Sequence, residues 1–410
     1  MKGIPKILQL EVMNKILERL PRSQDLFFMN LFPSPNYDSD TIRWAMEYGT
    51  AGMTPFVAPG SPAPVMGQNM LYSEGSAVAA YWKEKSFFDE KTLNNMREPL
   101  TQATRMTAER QVARRQRQLR NRCERRREWM LAKALFDGGF TYQREGGTKI
   151  NVDYGIPEHH KVTLTGDDVW DDGGGSPGAT ATPIRDIYDA KKEYADDVGV
   201  NPKYAMINSE LLTMLMFNGD LQELLKKSTF GDGDLFSNPA LVLGNLLGVG
   251  ELRVYDQFME VSSFLTQDSP AGSNTLHVED ATDFTPGKDI RLYNLSTPYD
   301  YEKQVIDSVD RASNTITLTS TLTSGYSAGK DRAVMRAKFI DDNKFMFFTD
   351  TVDGEKIAEF MNSPFGLDRN WGMYADTKQE WDPDGLWMRI QNKGLPVMYH
   401  PDAIYTITVK

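Results

Sequence analysis

Hydrophobic and polar residues alternate over two stretches near the N-terminus and predict two strands around a long loop. From Ile42 to Tyr48 every second residue is apolar, as in a strand with one buried face. A second extended run covers residues 77–88. The stretch between them has no periodicity and is rich in Pro and Gly, which is unusual in a compact domain unless the loop is functional or binds something. We therefore predict an extended β-hairpin loop over residues 40–95.

A long helix is predicted over residues 100–137. Residues 103–136 include neither Gly nor Pro, and nearly all of them favour helix. Gly138 and Gly139 then provide a stop signal. At a rise of 1.5 Å per residue, such a helix is roughly 50–55 Å long. Ten arginines and two glutamates lie between residues 105 and 127, so the helix is strongly basic.

The charged middle of this helix allows three interpretations. It contacts nucleic-acid phosphates without sequence preference, it forms ion pairs with acidic surfaces of adjacent subunits, or it is a solvated face without consequence. An apolar stripe is nearly absent between Arg114 and Arg127, so we expect this section to lie outside an ordinary core. A rod anchored at its ends and charged in the middle suits a subunit of a shell, which favours the first two interpretations. The candidate contact residues are Arg110, Arg114, Arg115, Arg117, Arg120, Arg125, Arg126 and Arg127.

The rest of the chain divides into four regions. Residues 1–39 form an N-terminal arm whose run LFFMNLFP at 26–33 is too apolar to remain in water, so it must dock on its own core or on a neighbouring subunit. Alternating helix and strand patterns predict an α/β domain at 183–261. Short alternating runs between turn signals predict a small all-β domain at 262–333, inserted as a tolerated surface segment would be. Residues 334–410 return to the strands of the main body.

Composition excludes several classes of function. The chain has 410 residues and is too long for one simple core. Its net charge of −11 makes it too acidic for a protein that binds nucleic acid with its whole surface. A single cysteine, Cys123, excludes an intramolecular disulfide framework. The N-terminus is amphipathic rather than a signal peptide, and no stretch is apolar enough to span a bilayer. We therefore expect a soluble protein that makes no contact with a membrane.

The sequence offers no catalytic constellation. The HExxH, CxxC, phosphate-loop and nucleophile-elbow motifs are absent, so we expect no enzyme activity, no catalytic residue, no cofactor and no metal. Glu158-His159-His160 is a local cluster, but adjacent residues on a strand face opposite ways and make a poor chelate. Cys123 lies among arginines, whose charge would lower the pKa of its thiol, although packing in a core is the more common role.

Five segments carry a family resemblance. They are LFFMNLFP at 26–33, FVAPGSPAPV at 56–65, AYWKEKSFFDEKTL at 80–93, RRREWMLAKALFDGGFTYQ followed by INVDYGIP at 150–157, and the closing KGLPVMYHPDAIYTITVK. In this order they resemble the major capsid proteins of tailed phages with the Hong Kong 97-type fold, specifically the lambda-like major capsid protein E family. The fourth segment is the most specific.

The resemblance implies an α+β subunit with the Hong Kong 97-type capsid fold. Residues 100–137 would be the spine helix of a peripheral domain at 96–182, and the extended loop at 40–95 would lie over a neighbouring subunit. The α/β region at 183–261 would be the axial domain around each capsomer centre. The domain at 262–333 departs from the family, and our hypothesis is that it projects from the outer surface. The tip residues expected to contact the neighbouring subunit are Phe56, Val57, Pro59, Gly60, Pro62 and Pro64.

The implied function is structural, that of the major capsid protein of a tailed double-stranded DNA phage. Such a chain would assemble in the host cytoplasm into the hexamers and pentamers of an icosahedral shell and would remain in the virion. Its partners would be other copies of itself, a scaffolding protein, a portal and a decoration protein, with non-specific contact to packaged DNA. Two alternatives stay open: an encapsulin-type bacterial compartment, which shares the fold, and a glycan-binding protein that uses the all-β domain.

Overall fold

The chain folds as two compact units. Unit 1 joins Met1–Tyr255 with Asp342–Lys410, and unit 2 is Asp256–Asp341. The computed structural model describes residues 8–19, 26–48, 54, 56–62, 71–97, 102–143, 149–170, 181–227, 237–281, 284–294, 301–340, 343–382 and 384–409. The helices of this part of the chain are α1 Leu10–Arg19, α2 Phe27–Leu31, α3 Glu90–Arg97, α4 Gln102–Phe136, α5 Pro183–Val198, α6 Ser209–Phe217, α7 Gly219–Lys227 and α8 Pro239–Leu247.

The strands are numbered in chain order. They are β1 Thr41–Tyr48, β2 Leu71–Val78, β3 Ala80–Asp89, β4 Gly139–Gln143, β5 Lys149–Asp153, β6 Lys161–Thr163, β7 Tyr204–Ile207, β8 Glu251–Val254, β9 Phe258–Phe264, β10 Thr275–His277, β11 Asp289–Tyr293, β12 Tyr301–Asp310, β13 Thr315–Leu318, β14 Arg332–Lys338, β15 Lys344–Phe348, β16 Thr351–Val352, β17 Glu355–Lys356, β18 Ala358–Asn362, β19 Tyr374–Trp381, β20 Asp384–Met398 and β21 Ile404–Thr408.

A five-stranded mixed sheet forms one core of unit 1. Its order is β6-β21-β15-β7-β8, with β6 parallel to β21 and β7 parallel to β8. All four residues of β7 are buried, as expected for a strand covered on both faces. Helix α5 packs against this sheet through Tyr194, whose ring meets Phe347 edge-on at 5.4 Å and whose hydroxyl donates to Ala403 O at 3.2 Å.

A second sheet of unit 1 is built around β20, the longest strand. It pairs with β3 over Gly385–Gly394, with β19, and with β18 over Gly394–Met398. Helices α1 and α4 share a hydrophobic core with this sheet, and its buried members are Leu8, Met13, Leu17, Phe88, Leu93, Val112, Leu119, Cys123, Ala375, Leu386, Met388 and Ile390. The predicted helix at 100–137 is confirmed, since α4 differs from it by two residues at its start and one at its end.

The hairpin exists, and most of the run predicted to be extended at 77–88 is a strand, but this strand is not the hairpin partner of β1. Strand β1 pairs with β2, in a register that places Trp44 opposite Gly75. A Cβ atom on Gly75 would lie 2.3 Å from the Trp44 indole, so the glycine makes room for the ring. Most of the predicted strand is β3, which belongs to the sheet around β20 instead.

Unit 2 is a six-stranded antiparallel sheet with its own hydrophobic core. The strand order is β10-β13-β12-β11-β14-β9, around buried side chains that include Phe284, Ile290 and Ile316. Its bounds, Asp256–Asp341, are wider at both ends than the predicted 262–333. The chain enters and leaves unit 2 on paired strands, because β9 and β14 are neighbours and Phe339 N donates to Gln257 O at 2.8 Å.

Candidate interaction surfaces

One face of α4 is buried along the middle of the helix, although few of its residues are apolar. The buried residues recur at intervals of three and four, which places them on one side of the helix. They are Val112, Gln116, Leu119, Arg120, Cys123, Glu124, Arg127, Glu128 and Leu131. The prediction that the section between Arg114 and Arg127 lies outside a core is therefore wrong, because buried polar side chains take the place of an apolar stripe.

The buried polar side chains of α4 have partners within the chain. Arg120 Nη2 lies 2.9 Å from Glu124 Oε1, one turn further along the helix. Gln116 Nε2 donates to Met13 O at 3.1 Å and ties α4 to α1. These contacts offset part of the cost of removing charged and amide groups from water.

Arg127 is also held inside the subunit. Its Nη2 donates to Ser34 Oγ at 2.5 Å, and its guanidinium lies 4.4 Å from the centre of the Phe360 ring. Arg120 and Arg127 belong to the predicted set of charge contacts, but their exposed fractions are 6% and 5%. We therefore assign these two arginines to packing within the chain rather than to contact with another molecule.

Glu128 anchors the apolar N-terminal arm, a role that the sequence analysis missed. Its buried carboxylate accepts hydrogen bonds from Phe28 N at 3.1 Å, Met29 N at 2.8 Å and the Tyr255 hydroxyl at 2.7 Å. Burial raises the pKa of Glu128, although these donors act in the opposite direction. Helix α2 thus docks on its own chain, which decides between the two alternatives left open for the run at 26–33. The sequence did contain one signal for this role, because Glu128 is an acidic residue at the point where the arginines end and the apolar part of the helix begins.

The opposite face of α4 presents the remaining arginines of the predicted set. The exposed ones are Arg110, Arg114, Arg115, Arg117 and Arg125. Arg126 is half-buried, with its guanidinium 5.2 Å from the centre of the Trp129 ring. The helix therefore separates its arginines into an inner pair that stabilises the subunit and an outer group that faces solvent.

A cleft of about 470 Å³ between α4 and β3 extends this basic surface. Its charged lining residues are Glu84, Lys85, Arg115, Arg122 and Arg125. The single carboxylate, that of Glu84, lies 2.7 Å from Arg122 Nε. Because cations outnumber carboxylates, the cleft favours phosphate or carboxylate groups as partners.

The tip of the hairpin loop exposes apolar side chains. Of the predicted tip residues, the structure describes these five, all exposed: Phe56, Val57, Pro59, Gly60 and Pro62. Pro64 lies outside the described residues. Ala58 O accepts from Ser61 N at 3.0 Å, and Gly60 has a φ of 88°, the positive value that the third position of a type II turn requires. Phe56, two residues before this turn, is fully exposed at 103%, so a large apolar ring faces solvent.

Cys123 is a packed core residue. Its Sγ accepts a hydrogen bond from Trp82 Nε1 at 3.0 Å, and 6% of the residue is exposed. Burial raises the pKa of the Cys123 thiol to about 12, whereas Trp82 and Arg127 act weakly in the opposite direction. The alternative in which arginine charge lowers this pKa is therefore wrong, and the thiol is not a reactive group.

Glu158–His160 forms a 3-10 helix rather than a strand. Both imidazoles therefore face the same carboxylate oxygen, Asp197 Oδ2, at 2.7 Å from His159 Nε2 and 3.0 Å from His160 Nε2. Burial acts to raise the pKa of Asp197, but the two histidines outweigh it and the pKa is lowered. The argument that the adjacent histidines face apart is wrong, and among the described residues they form with Asp197 one group that could hold a metal ion.

No helix within the described ranges is both long enough and apolar enough to cross a membrane.

Comparison with known protein families gives one match. Residues 9–257 match the family described as phage major capsid protein E, and this match ends where unit 2 begins. A search of curated proteins found no match.

Two solved structures share the fold at low sequence identity, and a third is less similar. A candidate capsid protein of an Escherichia coli CFT073 prophage is 14% identical, with a TM-score of 0.53 over 98% of this chain and 99% of that one. A phage-related protein of Bordetella bronchiseptica RB50 is 11% identical, with a TM-score of 0.50 over 99% and 98% of the two chains. The capsid protein of cyanophage P-SCSP1u is 10% identical, with a TM-score of 0.43 over 92% and 86%.

Proposed function

The chain belongs to the phage major capsid protein E family, and we propose that it is the head protein of a tailed double-stranded DNA phage. The observation that supports this most is the family match over residues 9–257, more than half of the chain. The family is structural, so the protein is a capsid shell protein of the virion rather than an enzyme. In the proposal its subunits form the hexamers and pentamers of an icosahedral shell around the genome, with a scaffolding protein and a portal as partners in assembly.

Two surfaces of unit 1 would make the subunit contacts. The exposed ring of Phe56 would be buried on a neighbouring subunit, because an apolar side chain that leaves water stabilises the contact. The outer arginines of α4 and the cleft beside them would meet acidic groups, either on neighbouring subunits of this acidic chain or on packaged DNA.

Replacing Phe56 and Val57 by serine should block assembly while leaving the subunit folded. Both side chains are exposed, so the free energy of unfolding should change by no more than about 0.5 kcal/mol. At an interface each would lose about 1.5–3 kcal/mol of burial. Urea unfolding measures the first effect, and size-exclusion chromatography of the assembled fraction measures the second.

The matched control for the loop tip is Leu367→Ser. Leu367 is as exposed as Phe56, at 104%, but lies outside the loop. We expect this variant to assemble normally. If both variants lose assembly to the same extent, any exposed apolar side chain contributes to assembly. The proposal that the loop tip has a special role would then be wrong.

We further propose that unit 2 is a separable surface module of the shell. It has its own core, and its entering and leaving strands lie side by side. Deleting residues 257–340 and joining the ends through a short Gly/Ser linker should leave unit 1 folded and able to assemble, with smoother particles in electron micrographs. Failure of the shortened chain to fold would contradict a separable module.

The same particles distinguish the two alternative functions. An encapsulin-type compartment would close without a scaffolding protein and enclose a protein cargo, whereas a phage head would be filled with DNA in the presence of its packaging partners. A glycan-binding protein would lose glycan binding when unit 2 is deleted, and it would not need to form particles in order to bind. The family match to a phage capsid protein favours the phage head.

A further inference from the structure

Three side chains converge beside the five-stranded sheet in a way that shell assembly does not require. His159 and His160 come from the 3-10 helix that precedes β6, and Asp197 comes from the last turn of α5. The potential ligand atoms of the three residues lie within 4.8 Å of one another. The two imidazole rings are 4.6 Å apart and nearly perpendicular, at 70°, so both Nε2 atoms approach one oxygen from different directions.

The hydrogen bonding of His160 indicates that a cation belongs between these groups. His160 Nδ1 lies 3.1 Å from Ile404 O, and a carbonyl oxygen accepts only, so Nδ1 carries the hydrogen. In the neutral ring, Nε2 then offers only a lone pair. That lone pair faces Asp197 Oδ2 at 3.0 Å, which is also an acceptor. Two lone pairs at this distance repel each other unless a proton or a metal ion lies between them.

The surroundings of His160 are those of a metal-binding imidazole. The His160 side chain is fully buried, and its ring lies 5.0 Å from the ring of Tyr405. A hydrogen bond from Nδ1 to a backbone carbonyl is also the arrangement that fixes the ring orientation of metal-binding histidines in general.

We propose that His159 Nε2, His160 Nε2 and Asp197 Oδ2 bind one divalent transition-metal ion of the Zn²⁺ class. Two imidazole nitrogens and a carboxylate suit Zn²⁺, Co²⁺ or Ni²⁺, whereas Mg²⁺ and Ca²⁺ prefer oxygen ligands. Ligand bonds of about 2.0–2.1 Å require the donor atoms to separate slightly. The His159 and Asp197 side chains are 56% and 41% exposed and are free to make that adjustment, and water completes the coordination.

The ion would clamp the edge of a sheet to a helix. Strand β6 is the edge strand of the five-stranded sheet and pairs with β21 alone, over three residues. A metal bridge from the residues just before β6 to α5 would hold this short edge strand in place.

Titration of the untagged full-length chain with Co²⁺ tests the site. We expect a visible d–d absorption band that saturates at one ion per chain and that Zn²⁺ abolishes by competition. His159→Gln and Asp197→Asn should each weaken Zn²⁺ binding at least about tenfold in calorimetry, the smallest loss found even for outer-shell partners of a metal site. Both positions are partly exposed, so the variants should fold, and circular dichroism checks this.

His277→Gln is the matched control, because His277 lies in unit 2 and belongs to no ligand group found among the described residues. It should bind Zn²⁺ and Co²⁺ as the unaltered chain does. The proposal is overturned if neither metal binds, as would be the case if His160 simply carries a second proton. It is equally overturned if binding persists unchanged in His159→Gln and Asp197→Asn, or if His277→Gln abolishes it.

Discussion

Glu128→Ala is expected to lower the free energy of unfolding of the subunit by about 3–5 kcal/mol. Alanine would leave the backbone N–H groups of Phe28 and Met29 and the hydroxyl of Tyr255 without their acceptor. Each buried donor left unsatisfied costs about 1–3 kcal/mol, and the exposed fraction of Glu128 is 0%, so water cannot replace the carboxylate without opening the core. Urea unfolding of unassembled subunits measures the loss.

Two further variants identify the cause of that loss. Glu128→Gln keeps the shape and one acceptor oxygen, so it should cost less than alanine. Tyr255→Phe removes one of the donors, so Glu128→Ala should cost less in that background than in the natural chain. If Glu128→Ala unfolds within about 0.5 kcal/mol of the natural chain, the range for ordinary surface changes, the carboxylate does not anchor the arm.

Replacing Arg114, Arg115 and Arg117 together by glutamine is expected to reduce the yield of closed particles at least about tenfold. The three side chains are exposed in the subunit, so its stability should hardly change. A hydrogen bond to a charged group at an interface is worth about 1.5–3 kcal/mol, and 1.4 kcal/mol corresponds to a factor of ten. Particle yield is measured by sedimentation and stability by urea unfolding.

A buried arginine should behave in the opposite way, with an effect on stability. Arg120→Gln removes the partner of a buried carboxylate, that of Glu124, and should lower the free energy of unfolding by about 3–5 kcal/mol.

If the exposed triple variant forms normal particles that contain less DNA, its arginines face the genome rather than a neighbouring subunit. If particle yield and DNA content both match the natural chain, the outer arginines serve neither purpose.

The bounds of α4 could be predicted because the information is local. Residues 103–136 contain no helix breaker, and Gly138, with its positive φ of 72°, follows the last turn. The hairpin partner could not be predicted in the same way. Strand β2 is made largely of small and polar residues, whereas the stronger alternation at 77–88 belongs mostly to β3, whose partner β20 is about 300 positions away in the sequence.

The buried face of α4 was missed because its polar residues find partners that the local sequence does not reveal. Gln116 bonds to Met13, 103 positions earlier, and Glu128 bonds to Met29, 99 positions earlier. In the sequence Gln116 lies among arginines that are exposed to solvent, and nothing local marks it as buried. The His159–His160–Asp197 group was missed for a related reason, since a 3-10 helix turned both rings toward a residue 37 positions beyond His160.

The most direct test of the shell assignment is negative-stain electron microscopy of the purified chain, expressed with and without the scaffolding protein that the proposal requires. The assignment to the capsid family predicts closed particles, and the proposed phage head predicts that these are icosahedral shells of hexamers and pentamers. A stable monomer under every one of these conditions would contradict the account.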